Sequence, residues 1–250
     1  MNHFKISTMS KIENIFEKIK NSNRESLNPP AEGLITFLNN FSYLKARENL
    51  GTYSDFDRIY CDGFFLCLLI RIIGVECKRV SFDMTSLAPL VFGDAERKRK
   101  TVYLVGGEPG VVERANQVLS REFPRILVVG TRHGYFNDNS ERMEALKNIC
   151  SIKPDIVVVG MGAVIQEDFL KSLKTCGWRG AGYTCGGFFH QTAKSGIEYY
   201  PKWVDRLNLR WLYRIIDEPK LFKRYFFYYP LSLIMFFYDV SLFSFKSGGK

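Results

Sequence analysis

The sequence predicts an α/β protein with a Rossmann-like, mostly parallel sheet that helices cover on both faces. Two observations lead to this prediction. Short apolar runs alternate with amphipathic segments from Leu34 onward, and segments of that length fit the right-handed crossovers that join parallel strands. The chain also has 250 residues, 46% of them hydrophobic, which suffices for one substantial core and a small appendage but not for a second full domain.

The individual elements follow from the period of the hydrophobic pattern. Six apolar runs predict strands, at residues 34–38, 58–61, 101–105, 126–129, 155–159 and 180–183. The segments between them predict helices, at residues 41–48, 64–73, 84–92, 110–122, 139–150 and 165–174.

The two ends of the chain depart from this alternation. Residues 1–32 carry an apolar patch at helical spacing, from Ile12 to Ile19, and then the helix-breaking Asn28-Pro29-Pro30. They predict a docking helix and a linker. The composition changes again near residues 205–218. We therefore expect a Rossmann-like domain over residues 33–205 and a helical, aromatic and basic appendage over residues 206–250.

Charge and cysteine usage narrow the class of protein. The net charge of +9 favours an anionic partner such as a nucleotide, a pyrophosphate-linked lipid or a membrane surface. The six cysteines include no Cys-x-x-Cys pair and no nearby histidine at ligand spacing, so we interpret them as reduced and structural. The first residues contain no apolar core of a secretory signal, and we expect a protein of the cytosol or of the inner face of a membrane.

Glycine-rich turns follow three of the predicted strands: Gly106-Gly107, Gly160-Met-Gly162 and Gly186-Gly187. A tight strand-to-helix turn needs glycine in any case. Glycines also let the backbone approach a ligand, and a helix that begins there offers free N–H groups to a phosphate. Three such turns at one edge favour a nucleotide-diphosphate site. None matches Gly-x-Gly-x-x-Gly or a phosphate-binding loop with Gly-Lys-Ser/Thr, which disfavours dinucleotide oxidoreductases and P-loop enzymes.

Five blocks follow one another in a specific order: Asp62-Gly63, Gly106-Gly-Glu-Pro-Gly110, His133-Gly-Tyr-Phe136, Gly160-Met-Gly-Ala-Val-Ile-Gln-Glu167 and Trp211-Leu-Tyr-Arg214. In this order they resemble the WecG/TagA/CpsF family of bacterial glycosyltransferases, over residues 34–225 or so. The resemblance implies an inverting enzyme without cofactor or metal. Such an enzyme moves a hexose or N-acetylated hexosamine from a UDP-sugar to a polyprenyl-diphosphate-linked saccharide during surface polysaccharide synthesis. It implies peripheral attachment to the cytoplasmic face of the inner membrane and leaves a homo-oligomer open.

Asp62 is the predicted catalytic residue. An inverting sugar transferase needs one base to deprotonate the acceptor hydroxyl and positive groups to neutralise the departing diphosphate. Asp62 ends a predicted strand, and Gly63 leaves room beside it. On its own, an Asp-Gly pair is typical of a turn; the resemblance implies that this Asp is the base.

The resemblance also implies substrate-binding roles for Asn39, Arg79, Asp83, Gln166 and Glu167. Asn39 ends the first predicted strand, where its side chain could instead cap the following helix. Gln166 and Glu167 lie in the first turn of a predicted helix, where a carboxylate is favoured by the helix dipole alone. Arg79 and Asp83 match a family block, although the residues between them differ.

Two further loops carry candidate substrate-binding residues. His133 and Tyr135 follow the fourth predicted strand, and Tyr135 could stack on a ligand. After Gly187 the family usually has an aromatic residue and an aspartate, whereas this chain has two phenylalanines and then His190. His190 is either a reader of the sugar or a core histidine bonded to backbone. The identity of the donor sugar therefore stays open.

Arginines recur every four residues at Arg206, Arg210 and Arg214. Like charges at this spacing repel each other on a helix, and an opposing anion would relieve that repulsion. A solvated helix face is the alternative. The arginines of the family favour contact with a diphosphate, through Arg210 and Arg214. Asp55-Phe-Asp57 has the Asp-x-Asp pattern of metal-dependent transferases, but it precedes a strand, and we interpret it as a turn.

The C-terminal appendage contains an aromatic run over residues 225–245, preceded by Lys220, Lys223 and Arg224. A proline, an aspartate and three serines interrupt the run. Aromatic residues flanked by cations fit the headgroup region of a membrane better than its hydrocarbon centre. We expect in-plane membrane association, with a membrane span and packing onto the protein's own core as alternatives. A chain ending at Asp217 is then expected to keep its sheet.

A second class of function remains open at the level of sequence. A non-catalytic nucleotide-sugar-binding subunit of a membrane-bound polysaccharide assembly complex would share the glycine turns and the basic tail. The presence of Asp62 favours the enzyme. Nucleic-acid binding would also explain the charge, but the chain contains no recognised nucleic-acid motif and mixes its basic residues with aromatic ones.

Overall fold

The computed structural model describes residues 2–197, 199, 201–207 and 209–247 and confirms the α/β class. In this part of the chain six strands form one sheet in the order β2-β1-β6-β5-β3-β4, and all neighbouring pairs are parallel. The strands are β1 (Gly33–Leu38), β2 (Arg58–Cys61), β3 (Thr101–Gly106), β4 (Leu127–Arg132), β5 (Ile156–Gly160) and β6 (Ala181–Thr184).

Helices occupy most of the remaining chain. Those of the first half are α1 (Asn2–Arg24), α2 (Asn40–Glu48), α3 (Leu50–Tyr53), α4 (Phe64–Ile72), α5 (Leu87–Lys98) and α6 (Val111–Glu122). Those of the second half are α7 (Asn139–Ile152), α8 (Ile165–Thr175), α9 (Phe188–Ser195), α10 (Lys202–Arg206), α11 (Arg210–Asp217) and α12 (Tyr229–Ser247). A 3-10 turn (Pro219–Leu221) and a π-helical turn (Arg224–Tyr228) join α11 to α12.

Two apolar cores lie on the two faces of the sheet. Side chains alternate along each strand, so Leu34 and Leu38 of β1 enter one core while Ile35 and Phe37 enter the other. The first core is completed by α1 to α4, α7, α8 and α12, and the second by α5, α6 and α9. Because both faces are covered, the strands other than the partly exposed edge strand β4 are largely buried and apolar, which is why they could be recognised in the sequence.

The chain reverses its direction across the sheet between β3 and β5. The connection after β3 leads outward to β4, whereas the connection after β5 leads inward to β6. Gly106 pairs with Gly160 at this point. A Cβ atom on Gly106 would lie 2.3 Å from the carbonyl oxygen of Gly160, so the close approach of the two strand ends requires glycine. Such a reversal leaves a crevice at the carboxyl ends of the strands, where ligands bind in open α/β sheets.

Helix α5 and helix α9 differ from the sequence prediction. The helix predicted over residues 84–92 begins at Leu87 and runs to Lys98. The reason is a turn that precedes it, in which the Asp83 carboxylate accepts hydrogen bonds from the backbone N–H of Thr85 and from the hydroxyl of Ser81. Helix α9 was not predicted, because only eight residues separate Gly187 from Gly196.

Both ends of the chain pack onto the first core. The apolar patch of α1 is buried, with Ile19 fully covered. The ring of Phe236 in α12 is also fully buried and lies 5.7 Å from the ring of Phe16 and 5.9 Å from that of Tyr43. Within the described residues, no helix combines the length and apolar character that a bilayer span requires.

Candidate active site

The carboxyl ends of the strands open into a cavity of about 760 Å³. Its walls are formed by segments that follow the six strands, by α11 and by the turns that lead into α12. Most residues that the sequence proposes for the site line this cavity: Asn39, Asp62, Arg79, Asp83, Gly107, Tyr135, Gly160, Gly162, Gln166, Gly187, His190, Arg210 and Arg214. Gly106, His133 and Glu167 lie outside its lining.

Asp62 lies half-buried in the cavity wall, immediately after β2. Its backbone N–H donates to the carbonyl of Leu38 at 2.7 Å, which fixes it beside the end of β1. Burial raises the pKa of Asp62 to about 6, the carboxylate of Asp83 adds to the rise, and three guanidinium groups of the cavity oppose it. A carboxylate with a raised pKa is a stronger base that still loses its proton below neutral pH. Among the described residues its carboxylate forms no ion pair.

Asn39 caps a helix and also lines the cavity. Its side-chain oxygen accepts hydrogen bonds from the backbone N–H groups of Phe41 and Ser42 and so caps α2. The same oxygen accepts a hydrogen bond from the guanidinium of Arg224 at 3.0 Å, and the residue lines the cavity. Asn39 can cap the helix and line the cavity at the same time, because α2 begins where β1 ends.

Arg224 lines the cavity, although in the sequence it stands among the cations that precede the aromatic run. Its guanidinium points into the cavity, over the ring of Phe41 at 4.3 Å and onto Asn39. Burial lowers its pKa from the usual arginine value. Arg224 begins the π-helical turn and faces the cavity, whereas its neighbour Lys223 is exposed. No periodicity in the sequence indicates that turn.

Arg210 connects α11 to the loop before α5. Its guanidinium forms an ion pair with Asp83 at 2.7 Å and donates to the hydroxyl of Thr85. Although burial alone would raise it, the pKa of the Asp83 carboxyl falls below its usual value because Arg210 and the hydroxyls of Thr85 and Ser81 stabilise the charged form. This pair holds the C-terminal segment over the open edge of the sheet.

Although Arg206, Arg210 and Arg214 are spaced four residues apart, they do not lie on one face of a single helix. Arg206 is exposed at the end of α10, whereas Arg210 begins α11 after an interruption. Arg214 lines the cavity and donates to Glu218 at 3.0 Å. Its guanidinium also lies close to the turn at Gly187, since a Cβ atom there would come within 3.3 Å of it. Arg210 and Arg214 therefore face the cavity and Arg206 does not.

Glu167 lies beneath the cavity wall and is hydrogen-bonded to its neighbour Gln166, which lines the cavity. It is fully buried, and burial raises its pKa. Its carboxylate accepts hydrogen bonds from the hydroxyl of Thr36 at 2.8 Å, from the amide of Gln166 at 3.1 Å and from the N–H of Val164 at 2.6 Å. Gln166 in turn accepts a hydrogen bond from the N–H of Gly186. Gln166 thus faces the cavity, and Glu167 orients it without reaching the cavity.

The histidine and tyrosine candidates lie at different depths. The ring of His133 sits beside the guanidinium of Arg132, outside the cavity lining. Tyr135 is 61% exposed at the rim, where a ring could stack on a ligand. His190 is exposed to the cavity, whereas Phe188 and Phe189 before it are buried. Of the two interpretations of His190, its position agrees with contact to a ligand.

A second cavity of about 500 Å³ adjoins the first. The two cavities share six lining residues: Tyr135, Gly187, His190, Gln191, Arg214 and Glu218. Two adjoining spaces would suit a reaction in which two substrates meet.

Several cavity residues were missed as site residues in the sequence. They are Thr184, Gln191, Trp211, Tyr225 and Tyr229. Thr184 ends β6 and could have been found by the strand-end rule that identified Asp62. Tyr225 and Tyr229 belong to the aromatic run, whose composition alone suggested a membrane contact, whereas Trp211 belongs to one of the five blocks that carry the family resemblance.

The Asp-x-Asp pattern lies at the opposite edge of the sheet. The Asp57 carboxylate accepts a hydrogen bond from the N–H of Leu34 at 2.8 Å, at the amino end of β1, and pairs with Lys174. Asp55 pairs with Lys171 at 2.6 Å. Both carboxylates serve the turn before β2 and are remote from the cavity.

Replacing Arg224 with Gln is expected to lower kcat/KM by about ten- to a hundredfold, because a charge-assisted contact to an anionic substrate is lost. Lys223→Gln is the matched control, since Lys223 is the exposed neighbour and loses the same charge. Steady-state kinetics of both variants provide the measurement. Equal effects of the two changes would mean that Arg224 acts only through the overall positive charge.

A sequence model described as the Glycosyl transferase WecG/TagA/CpsF family matches residues 3–243, and so extends beyond the motif blocks at both ends. The UDP-Gal:alpha-D-GlcNAc-diphosphoundecaprenol beta-1,4-galactosyltransferase of Shigella boydii is 33% identical over 226 residues, which cover 90% of this chain and 94% of that protein. The N-acetylglucosaminyldiphosphoundecaprenol N-acetyl-beta-D-mannosaminyltransferase of Bacillus subtilis strain 168 is 27% identical over 186 residues, which cover 74% and 70%.

Proposed function

We propose that this protein, which belongs to the WecG/TagA/CpsF family of glycosyl transferases, moves a hexose or N-acetylated hexosamine from a UDP-sugar to a polyprenyl-diphosphate-linked saccharide. The product would contribute to a surface polysaccharide. One observation carries the proposal: Asp62 and several arginines face a single cavity at the reversal point of a parallel sheet. The names of the two relatives, a galactosyltransferase and an N-acetylmannosaminyltransferase, support this class of reaction.

Asp62 is the base of the proposed reaction. It takes the proton of the acceptor hydroxyl as the oxygen attacks the anomeric carbon, and UDP leaves from the opposite side, so the configuration inverts. The other acids of the cavity wall are engaged, since Asp83 pairs with Arg210 and Glu218 with Arg214. The partly buried position of Asp62 raises its pKa and strengthens it as a base.

Positive side chains and backbone amides would neutralise the leaving diphosphate. Arg79, Arg210, Arg214 and Arg224 line the cavity. Helix α6 follows the Gly107 turn and has no side-chain cap at its N-terminus. The N–H of Val111 donates to the carbonyl of Glu108, and the other N–H groups of the first turn would be available to an anion. Charge stabilisation of this kind strengthens as UDP departs and therefore accelerates the chemical step.

We expect turnover to survive an excess of EDTA, because arginines and amides take the place of a divalent ion. Among the described residues, a cluster of three or more potential metal ligands occurs only at three buried cysteines, none of which lines the cavity. The measurement is the initial rate after EDTA treatment, with and without added magnesium or manganese. Strict dependence on either ion would contradict metal independence.

The proposed activity is tested by a donor screen. Purified full-length protein is incubated in detergent with a short-chain polyprenyl-diphosphate-linked GlcNAc and, in parallel, UDP-Gal, UDP-GlcNAc, UDP-ManNAc and UDP-Glc. We expect one donor to give an acceptor whose mass rises by one sugar residue. Tight UDP binding without any product across the panel and across acceptor sugars would favour the non-catalytic binding subunit.

We propose that the protein works peripherally on the cytoplasmic face of the inner membrane. An exposed apolar surface, here called the mouth surface, meets the cavity at Phe64 and Phe65. It consists of Phe64, Phe65, Leu68 and Ile72 on α4 and of Phe222, Phe226, Phe227, Leu231, Ile234, Phe237 and Tyr238 in the C-terminal segment. The rings of Phe65 and Tyr229, which both line the cavity, lie 6.4 Å apart, so α4 contacts the C-terminal segment here. Contiguous exposed apolar side chains of this extent mark an interaction surface, and a lipid-linked acceptor favours a bilayer.

Replacing both Leu68 and Ile72 with Ser is expected to reduce co-sedimentation with anionic liposomes while leaving UDP affinity unchanged. Both side chains are exposed on α4 and neither lines the cavity. Leu90→Ser is the control, since Leu90 is similarly exposed on α5 at the other face of the sheet. If the double variant and the control bind liposomes alike, α4 does not contact the membrane.

A further inference from the structure

Three cysteines lie close together beside the candidate site, although their spacing in the sequence matches no metal-binding motif. Cys61 ends β2, Cys67 lies in α4, and Cys77 lies in the segment that follows α4. Their sulfur atoms all lie within 4.8 Å of one another. Each residue is at most 2% exposed, and all three thiols are free. The fold, and not the sequence spacing, assembles this cluster.

The separation of the sulfur atoms suits a single bound ion. Two sulfur atoms bound to one metal at about 2.3 Å in a trigonal arrangement lie roughly 4 Å apart. The three thiols therefore need to approach one another by less than about 1 Å to share an ion. Soft thiolate ligands select soft metals, chiefly Cu⁺ and Zn²⁺.

We propose that Cys61, Cys67 and Cys77 form a three-coordinate binding site for Cu⁺. The number of ligands decides between the two soft ions. Structural Zn²⁺ sites are almost always four-coordinate, and a catalytic Zn²⁺ site completes its shell with water. The ligand cluster of the described residues has three members, and burial keeps water from supplying a fourth.

A positively charged residue close to the three cysteines would stabilise their thiolate forms. The guanidinium of Arg71 donates to the carbonyl of Cys77 at 2.6 Å and brings a positive charge next to the thiolates that bind the ion. Each thiol releases its proton to solvent as the Cu–S bond forms, and the copper stays in the same oxidation state throughout.

An ion at this site would link two parts of the candidate active site. Cys61 immediately precedes Asp62, and its carbonyl accepts a hydrogen bond from the N–H of Val80 at 2.9 Å. Cys61 also forms an isolated bridge with Arg79. Binding of Cu⁺ would tie the end of β2 to the segment that carries Arg79. The metal site itself does not depend on the proposed transferase activity and can be tested without it.

The test is a titration of the reduced, metal-free full-length protein with Cu⁺ under anaerobic conditions, in competition with a chromogenic Cu⁺ chelator. We expect one Cu⁺ per chain and a near-ultraviolet thiolate-to-copper absorption band. Cys77→Ser and Cys67→Ser should each weaken binding by more than the roughly hundredfold typical of outer-shell changes at metal sites. Cys176→Ser is the control, because Cys176 is exposed and outside the cluster.

Circular dichroism and the melting temperature show whether each variant is folded. If one cluster variant does not fold, the other still measures the contribution of a cluster thiol to Cu⁺ binding. A rise in melting temperature with Cu⁺ in the wild type, absent in both cluster variants, is also expected. The proposal is overturned if Cu⁺ does not bind at one equivalent, if both cluster variants bind like the wild type, or if Zn²⁺ displaces Cu⁺ at equal concentration. Failure of sugar transfer in the donor screen would leave this result untouched.

Discussion

Asp62→Asn is expected to lower kcat by about two to four orders of magnitude, or about 3–5 kcal/mol of transition-state stabilisation, with little change in UDP affinity. The amide has nearly the shape of the carboxylate but cannot take a proton from the acceptor hydroxyl. Because the proton moves only in the transition state, kcat and kcat/KM should fall together. Steady-state kinetics and UDP binding by calorimetry provide the measurements.

The matched control is Asp55→Asn. Asp55 lies at the opposite edge of the sheet, in an exposed ion pair with Lys171, so the same chemical change should leave the rate nearly unchanged. Melting temperatures of both variants exclude misfolding as the cause. A turnover of Asp62→Asn within a few-fold of the wild type would remove Asp62 from the mechanism.

Phe236→Ala is expected to lower the free energy of unfolding by about 3–5 kcal/mol, because it opens a cavity in the first core. The ring of Phe236 is fully buried against Phe16 and Tyr43. Its neighbour Phe237 is 48% exposed on the mouth surface, so Phe237→Ala should change stability by less than about 1 kcal/mol. Denaturant unfolding of the two variants gives the comparison, and similar stabilities would mean that α12 does not pack as described.

The structure changes the result that we expect from truncating the C-terminal segment. A chain ending at Asp217 was expected to keep its sheet and become more soluble. In the structure α12 also places Asp239 in the interior, where it pairs with Arg47 at 2.6 Å and accepts a hydrogen bond from Tyr43. Deleting the segment would leave these partners and the surface beneath Phe236 uncovered. We now expect the truncated chain to lose stability.

The alternatives considered for the tail are therefore not exclusive. One side of α12 packs onto the protein's own core, and the other side exposes large apolar residues beside the cavity. Composition could not separate the two sides, since Phe236 and Phe237 are chemically identical neighbours. Which of them is buried depends on the rotation of α12 against α1 and α2, a property of tertiary packing.

Much of the fold could be predicted from the sequence for a physical reason. A parallel sheet covered on both faces makes each strand a short apolar run, and polar residues mark the points where those runs end. Asp62, Gly107 and Gly160 were identified in this way, and the structure brings all three to one cavity. The family resemblance, confirmed by the match over residues 3–243, added Asn39 and Gln166.

The rest depends on contacts between distant segments. Arg224 reaches Asn39 across 185 residues, and Ser232 reaches Asn40 across 192. The thiol cluster of Cys61, Cys67 and Cys77 arises because the segment that follows α4 returns to the end of β2, where Arg79 forms a bridge with Cys61. Neither residue spacing nor secondary-structure propensity indicates which distant segments contact each other. The sequence therefore suggested a membrane-associated tail for the C-terminal residues that line the cavity.

The configuration of the sugar in the product tests the central claim most directly. A UDP-hexose has an α anomeric bond, so direct displacement by an acceptor hydroxyl that Asp62 deprotonates must give a β-linked sugar. We expect the proton NMR spectrum of the purified product, made by the full-length protein from the preferred donor, to show a β anomeric centre, and we expect Asp62→Asn to form this product hundreds of times more slowly or worse. An α-linked product, or a β-linked product formed equally fast by Asp62→Asn, would contradict single displacement with Asp62 as the base.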